Sequence, residues 1–294
     1  MSELFRKVLF GSDRKQDFTE ASLPATRREQ FLYVIKTRWL KLLTVNLWVL
    51  LFFVPVLLWR MICLSYGSSF GELVPENVFR YIQYVVAYKS VPRAAFAGVA
   101  ALGIAGGFHA VRMIVWGEPV GVTRAFLRGI RYSYRQFFLG GILYGIFSAI
   151  SEVAEALISG GIISDQMINV LAFGSLVISK VLIVSVGMYA LALLSNYNMK
   201  MLHCIKSSIL LAVQTLFKTL KFLFVSLFPT TIWFLVGNIY MEIVGQLILI
   251  VCGFVYSILV WCLYTNSVFD RYINLKSYPD YYRKGLRKGE KDHA

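Results

Sequence analysis

After a polar, mixed-charge stretch of 41 residues, the chain runs through long continuous apolar segments separated by short polar ones. A helix needs about 20 apolar residues to cross the hydrocarbon of a bilayer. Six segments come close to that length or exceed it: Leu42–Leu64, Val91–Trp116, Phe137–Ile158, Asn169–Ser195, Phe222–Tyr240 and Ile243–Asn266. In hydrocarbon a lone segment has to satisfy its own backbone hydrogen bonds, so each is expected to be a helix. The pattern predicts an all-α fold, a polytopic transmembrane helix bundle of about six spans. The run Ser207–Phe217 is too short to cross by itself. Lys218 and Lys221 interrupt its continuation and Pro229 follows, so it is expected on the membrane surface ahead of the fifth span.

Composition removes the soluble alternatives. Hydrophobic residues make up 57% of the chain and charged residues 16%, with a mean hydropathy of +0.63. Soluble domains lie nearer about 45–50% apolar, and a globule of this size could not hide the excess. Disorder, a coiled coil and a disulfide scaffold are excluded by the same figures.

Lysine and arginine are sorted along the chain. Nine precede residue 42, five lie in 112–136, four in 196–221 and seven after Asn266, which puts 25 of the 30 on one side. The opposite side holds Arg60, Arg80, Lys89 and Arg93, together with Glu72, Glu76, Glu152, Glu155, Asp165 and Glu242. The positive-inside rule then predicts a bacterial cell-membrane protein with both termini cytoplasmic and an even number of spans. Net charge, +14, reports topology, and nucleic acid is not an expected partner. No apolar stretch sits beside a cleavage site near the start, so no secretory signal peptide is expected.

The expected organisation follows. Residues 1–41 form a cytoplasmic arm with amphipathic helices, one carrying Leu4, Phe5, Val8 and Leu9 and a second over Arg27–Lys41. Residues 42–266 form the six-span domain, with cytoplasmic amphipathic elbows at 117–136 and 196–221 that make two similar hairpins. The largest outer loop, Ser65–Ser90, carries Phe79, Tyr81, Tyr84 and Tyr88 on a short surface helix. Residues 267–294 form a basic cytoplasmic tail whose tyrosines and arginines anchor it at the interface. Small residues at Ala94, Gly98, Ala101 and Ala105, and the pairs Gly103/Gly107 and Gly141/Gly145, are expected to let helices of one subunit approach closely.

The first elbow is the most informative stretch. Gly117 and Pro119 break the preceding helix, and Thr123 is placed to cap a new one. In that helix Arg124, Arg128, Arg131 and Arg135 share one face, opposite Phe126, Leu127, Ile130, Tyr134 and Phe137. A basic face against an aromatic face predicts a helix lying in the membrane interface. Its arginines would dock on anionic lipid, at about 1 kcal/mol per charge, or on an acidic cytoplasmic partner.

Gly117-Glu118-Pro119-Val120, Arg124-Ala125-Phe126 and Tyr134-Arg135-Gln136-Phe137, running into Leu139-Gly140, follow a span rich in Leu, Trp and Pro and a second rich in Gly and Ala. This order resembles the YesL family of bacterial integral membrane proteins, whose function is uncharacterised. The resemblance extends over roughly Trp39 to Tyr272, and its second half matches in hydropathy and spacing. It implies a setting in carbohydrate uptake, beside ATP-driven sugar importers and glycoside hydrolases. The N-terminal arm is longer than such proteins have.

Within the fourth span Lys180 lies about 16 Å deep at 1.5 Å per residue. A cation there needs a counter-charge or a wet cavity. Glu152 and Glu155 share a face of the third span by their i,i+3 spacing, and Lys180 is expected to reach out to Glu152 as a structural ion pair. Asn46, Asn196, Asn238, Gln246 and Asn266 are expected to hydrogen-bond between helices, and His109 to be a packing residue. Cys63, Cys204, Cys252 and Cys262 lack paired spacing and are expected as free thiols, with no metal site. His293 adds no zinc cluster. No phosphate-binding loop and no HExxH or GxSxG motif occurs. Glu155-Ala156-Leu157 with Gly160-Gly161 lacks the downstream Leu-Pro of an importer coupling loop and falls on the outer side.

The expected function is therefore non-enzymatic and cofactor-free: an accessory or regulatory subunit of a carbohydrate importer, contacting lipid and the importer's permease and ATPase subunits. The rival expectation is a stand-alone small-solute transporter, which needs a polar cavity around Lys180, Glu152, Glu155 and His109.

Overall fold

The computed structural model describes residues 23–287 apart from 120, 133, 163–164, 198 and 236–238, and describes no side chains at 68, 229–235, 239 and 241–243. The expected helix carrying Leu4, Phe5, Val8 and Leu9, as well as Asn238, the Glu242 side chain and His293, lie outside the described residues. Among the described residues the chain is all-helical. Five helices are long and apolar enough to cross a membrane, and a bent pair makes a sixth if counted as one span. The protein is a multi-pass helix bundle.

Helix α1 covers Arg27–Gly67. It starts where Thr26 Oγ1 accepts from the Glu29 amide and the Glu29 carboxylate accepts from the Ala25 amide, a reciprocal cap. A break at Arg38 (φ −123°, ψ 18°) separates the polar leader from the apolar stretch. The expected second arm helix is thus the first segment of α1. Helix α2, Val78–Tyr84, passes through a π-helical turn at Val85–Lys89 directly into α3, Ser90–Val115. The aromatic segment expected as a separate surface helix instead lengthens the second span to Val78–Val115. Helix α4 is Val122–Tyr132 and α5 Tyr134–Ser159. Helix α6, Gln166–Asn196, opens on an Asp165 cap that accepts from the Met167 and Ile168 amides.

The fifth crossing departs from expectation. No single apolar helix spans 222–240. Helix α7, Met201–Gln214, and α8, Leu216–Leu235, meet at Thr215 with a 95° bend. Thr215 and Thr219 hydroxyls gather on the Tyr189 hydroxyl of α6, at 2.7 and 3.1 Å. That buried polar knot fixes the bend, so the break falls at a hydrogen-bonded threonine rather than at the lysines. Helix α9, Ile239–Ile248, leads through a π-helical turn, Leu249–Gly253, into α10, Phe254–Phe269. The fully buried Asn46 amide repairs that turn, donating to Ile250 O and accepting from the Val255 amide. Asn196 likewise bonds between helices, accepting from Arg112, whereas Asn266 bonds Cys262 within its own helix and Gln246 is exposed.

Both ends of the described chain lie together. Arg27 pairs with Asp270 at 2.7 Å, and the Arg287 amide donates to Pro24 O at 3.0 Å. The Gln30 amide donates to Val115 O and Gly285 O, and Arg112 donates to Ser195 O. The start of α1 and the ends of α3, α6 and α10 therefore share one end of the bundle, called here the terminal end. Ser226 with Ser257, and Thr219 with Tyr264, make α8 antiparallel to α10. Passes along the bundle are thus even in number, with α8 supplying the fifth.

Helix α3 is the central element, and small residues set its distance from its neighbours. A Cβ on Gly103 would lie 2.5 Å from Phe52 Cβ of α1, and one on Gly145 would lie 2.5 Å from Ala94 Cα. Gly174, by contrast, has nothing within 4 Å. Helices in lipid gain little from apolar burial and rely on such close packing. Gly145→Leu is expected to lower the unfolding temperature in detergent, at an overpacking cost of about 1–3 kcal/mol. Gly174→Leu should leave it unchanged.

Candidate functional site

The far end of the bundle encloses a cavity of about 740 Å³ between α1, the α2–α3 unit, α5 and α6. Helix α5 contributes a polar stripe at helical spacing, Tyr144, Ser148, Ser151, Glu155 and Ser159, with Glu152 beside it. Helices α2 and α3 bring Tyr81, Lys89 and Arg93, and α1 brings Trp59, Arg60 and Cys63. Lys180 enters from α6. Four cations thus face two carboxylates, which leaves the chamber net positive.

Its charges are arranged in two groups. Glu152 Oε1 accepts from Tyr81 Oη at 2.6 Å and from Lys89 Nζ, while Oε2 accepts from Arg93 Nη2. Side-chain exposure of the three charged members is only 16–20%. Lys180 donates to Glu155, not to Glu152 as expected. The reason is geometric: Glu152 is already saturated by three donors from α2–α3, and Glu155, one turn further along α5, takes the cation of α6. This second pair is the more open edge of the chamber, 38% and 46% exposed. Arg60 takes part in no ion pair among the described residues. Ser151 Oγ and Trp59 Nε1 are buried without a hydrogen-bond partner.

His109 is not in this chamber. It lies at the terminal end, where its Nδ1 is 3.0 Å from Arg112 Nη2. Arg112 also bonds Ser195 O and Asn196 Oδ1 and stacks over Trp116 at 4.7 Å. It is a buried residue of α3 rather than a loop charge. The C-terminal segment closes this end as a strap. Tyr281 stacks on Trp116 at 5.5 Å, and Lys284 pairs with Glu118 at 2.9 Å. The tail therefore holds to its own chain, where interfacial anchoring was expected. Tyr197, between α6 and α7, sits under the strap. Burial first, and the nearby Asp270 second, push its hydroxyl above the ordinary tyrosine range, so it stays protonated and donates to Asn274.

The α4 elbow carries its four arginines as the sequence arranges them. Arg124, Arg128, Arg131 and Arg135 are all exposed. Its opposite face, however, packs on protein. Phe126 is fully buried, stacked on Trp48 at 5.7 Å and against Gly106 of α3, while Leu127 and Tyr134 remain exposed. Thr123 is no cap, because the helix already begins at Val122 and the Thr123 hydroxyl has no partner. The four cysteines are free, and no group of His, Cys, Asp or Glu among the described residues could hold a metal ion.

Sequence reasoning found Lys180, Glu152 and Glu155 but missed Tyr81, Lys89, Arg93 and Arg60. The available signal was the 4, 3, 4, 4 spacing of Tyr144, Ser148, Ser151, Glu155 and Ser159, a polar stripe inside an apolar helix. Glu152→Ala strands Lys89 and Arg93 in a poorly hydrated site. Breaking a buried ion cluster from one side costs about 3–5 kcal/mol, to be read as a fall in unfolding temperature. Glu155→Ala, at the open edge, should have the smaller effect.

The chain matches no family model, no curated protein and no solved structure, so its resemblance to the YesL family rests on the residues quoted above.

Proposed function

We propose that this protein binds, and by itself moves, a small polar solute taken into the far-end chamber. The observation that supports this reading is the chamber's lining. Lys89, Arg93, Lys180, Arg60, Glu152 and Glu155 come from four separate helical units to one space within an otherwise apolar bundle. Ionisable groups at membrane depth mark solute or ion paths when they face a cavity. With the lysine and arginine sorting as guide, the terminal end is cytoplasmic and the chamber faces outward. Towards the cytoplasm it ends on the α1–α3 seam, where Phe52 meets Gly103 and Phe126 meets Gly106. That is the form of an outward-facing state, closed on its inner side. The two hairpins, α3–α4–α5 and α6–α7–α8, give the repeated halves on which rocking-type carriers are built.

A second reading, accessory subunit of a carbohydrate importer, draws on the exposed arginine face of α4 and on the YesL resemblance. Co-purification of permease and ATPase subunits in gentle detergent would favour it over a carrier acting alone.

Cys63 is a built-in reporter, since it is buried and lines the chamber. In a Cys252→Ser background, a small membrane-impermeant methanethiosulfonate added to intact cells is expected to label Cys63. Cys63→Ser should abolish the label, and Cys204 and Cys262 should stay unmodified. Absence of Cys63 labelling in cells carrying the protein would contradict an outward-opening chamber.

A further inference from the structure

The chamber's chemistry narrows its occupant. We propose that it is an oxyanion site, taking a solute through a carboxylate or phosphate group held by Arg60 with the free donors of Ser151 and Trp59. This rests on the reading of the chamber as a solute site and goes on to name the solute's class.

Three observations converge on it. First, charge: Glu152 is saturated by Lys89, Arg93 and Tyr81, and Glu155 by Lys180. Arg60 is then the cation left without an anionic partner among those lining the space. A guanidinium at the edge of hydrocarbon is costly without a counter-charge, and its planar fork suits a carboxylate or phosphate. Second, orphaned donors: Ser151 is only 3% exposed, lines the chamber, and its hydroxyl has no partner. Trp59 Nε1–H, an obligate donor, is likewise unpaired and lies one residue before Arg60 on α1. A buried polar group left unsatisfied costs about 1–3 kcal/mol, and an acceptor oxygen from a bound anion would satisfy both. Third, polarity of recognition: both carboxylates are already engaged, so no free acceptor waits for a cation. A neutral polyol would find donors but would leave the excess positive charge uncompensated. Phe96, Tyr144 and Phe147 on the remaining walls give an apolar surface for the rest of the solute.

An oxyanion at this depth could come from a dissolved organic anion or from a phospholipid headgroup, and the test separates these sources. The full-length protein is placed in nanodiscs of phosphatidylcholine and titrated with inorganic phosphate and with citrate. Thermal unfolding and direct binding are followed at constant ionic strength. A saturable rise in unfolding temperature is expected with either anion, and none with choline. Arg60→Gln should weaken binding about tenfold or more, the loss of one charge-assisted hydrogen bond. Arg60→Lys should restore part of it, Ser151→Ala should weaken it less, and Arg80→Gln, exposed and outside the chamber, should not change it. Because Arg60 has no structural partner, its variants should fold as the parent does. If phosphatidylglycerol in the nanodiscs competes with phosphate, the site takes a headgroup; if it does not, the site takes a soluble anion. Anion binding that Arg60→Gln leaves intact, or no saturable binding at all, overturns the proposal. A neutral sugar such as maltose that binds independently of Arg60, with Cys63 still labelled from outside, overturns the anion assignment alone and leaves the chamber as a solute site.

Discussion

A charge placed in or near hydrocarbon has to find a counter-charge or water, and this requirement organises the far end of the bundle. Glu152 draws Tyr81, Lys89 and Arg93 onto α5, which fixes where the α2–α3 unit meets it. Glu155 does the same for Lys180 and α6. Four helical units are thereby held around a space that apolar packing alone would have closed. The chamber is thus a consequence of ion pairing between helices, and its surplus positive charge is what remains once both carboxylates are engaged.

The terminal end is built on the opposite plan. There Arg27, Gln30, Arg112 and Lys284 spend their donors on Asp270, on backbone carbonyls of other elements and on Glu118. Tyr281 covers Trp116 and Tyr197 is buried under the same segment. The result is a closed, satisfied end whose free charge is displaced outward to the arginines of α4. Between the two ends, glycines of α3 and α5 allow backbones to approach closely enough for dispersion to hold the helices, the force that remains when solvent is as apolar as the side chains.

Much of this was legible in the sequence, for definite reasons. Long apolar runs report spans directly, because the bilayer imposes both length and composition. The arginine face of α4 follows from spacing alone. What escaped depended on contacts between segments distant in the chain. Lys89 and Arg93 read as loop cations because the sequence gives no sign that α2 joins α3 through a π-helical turn. Arg112 read as a loop charge because its partners, Ser195 and Asn196, lie more than eighty residues away. Lys180 had two glutamates within reach, and the choice between them was settled by donors on a third element. The fifth crossing was misplaced because the bend depends on Thr215 meeting Tyr189 and Tyr264, not on any local breaker.

Coupling across the Glu152 cluster is the most direct measure of whether charge pairing builds the chamber. A double-mutant cycle with Glu152→Gln, Arg93→Gln and the double variant, followed by reversible unfolding in detergent, isolates it. Pairing as described predicts a coupling of about 1–3 kcal/mol, the range for residues in one network. Strictly additive effects of the two substitutions would show that Glu152 and Arg93 do not meet, and the chamber as described would not exist.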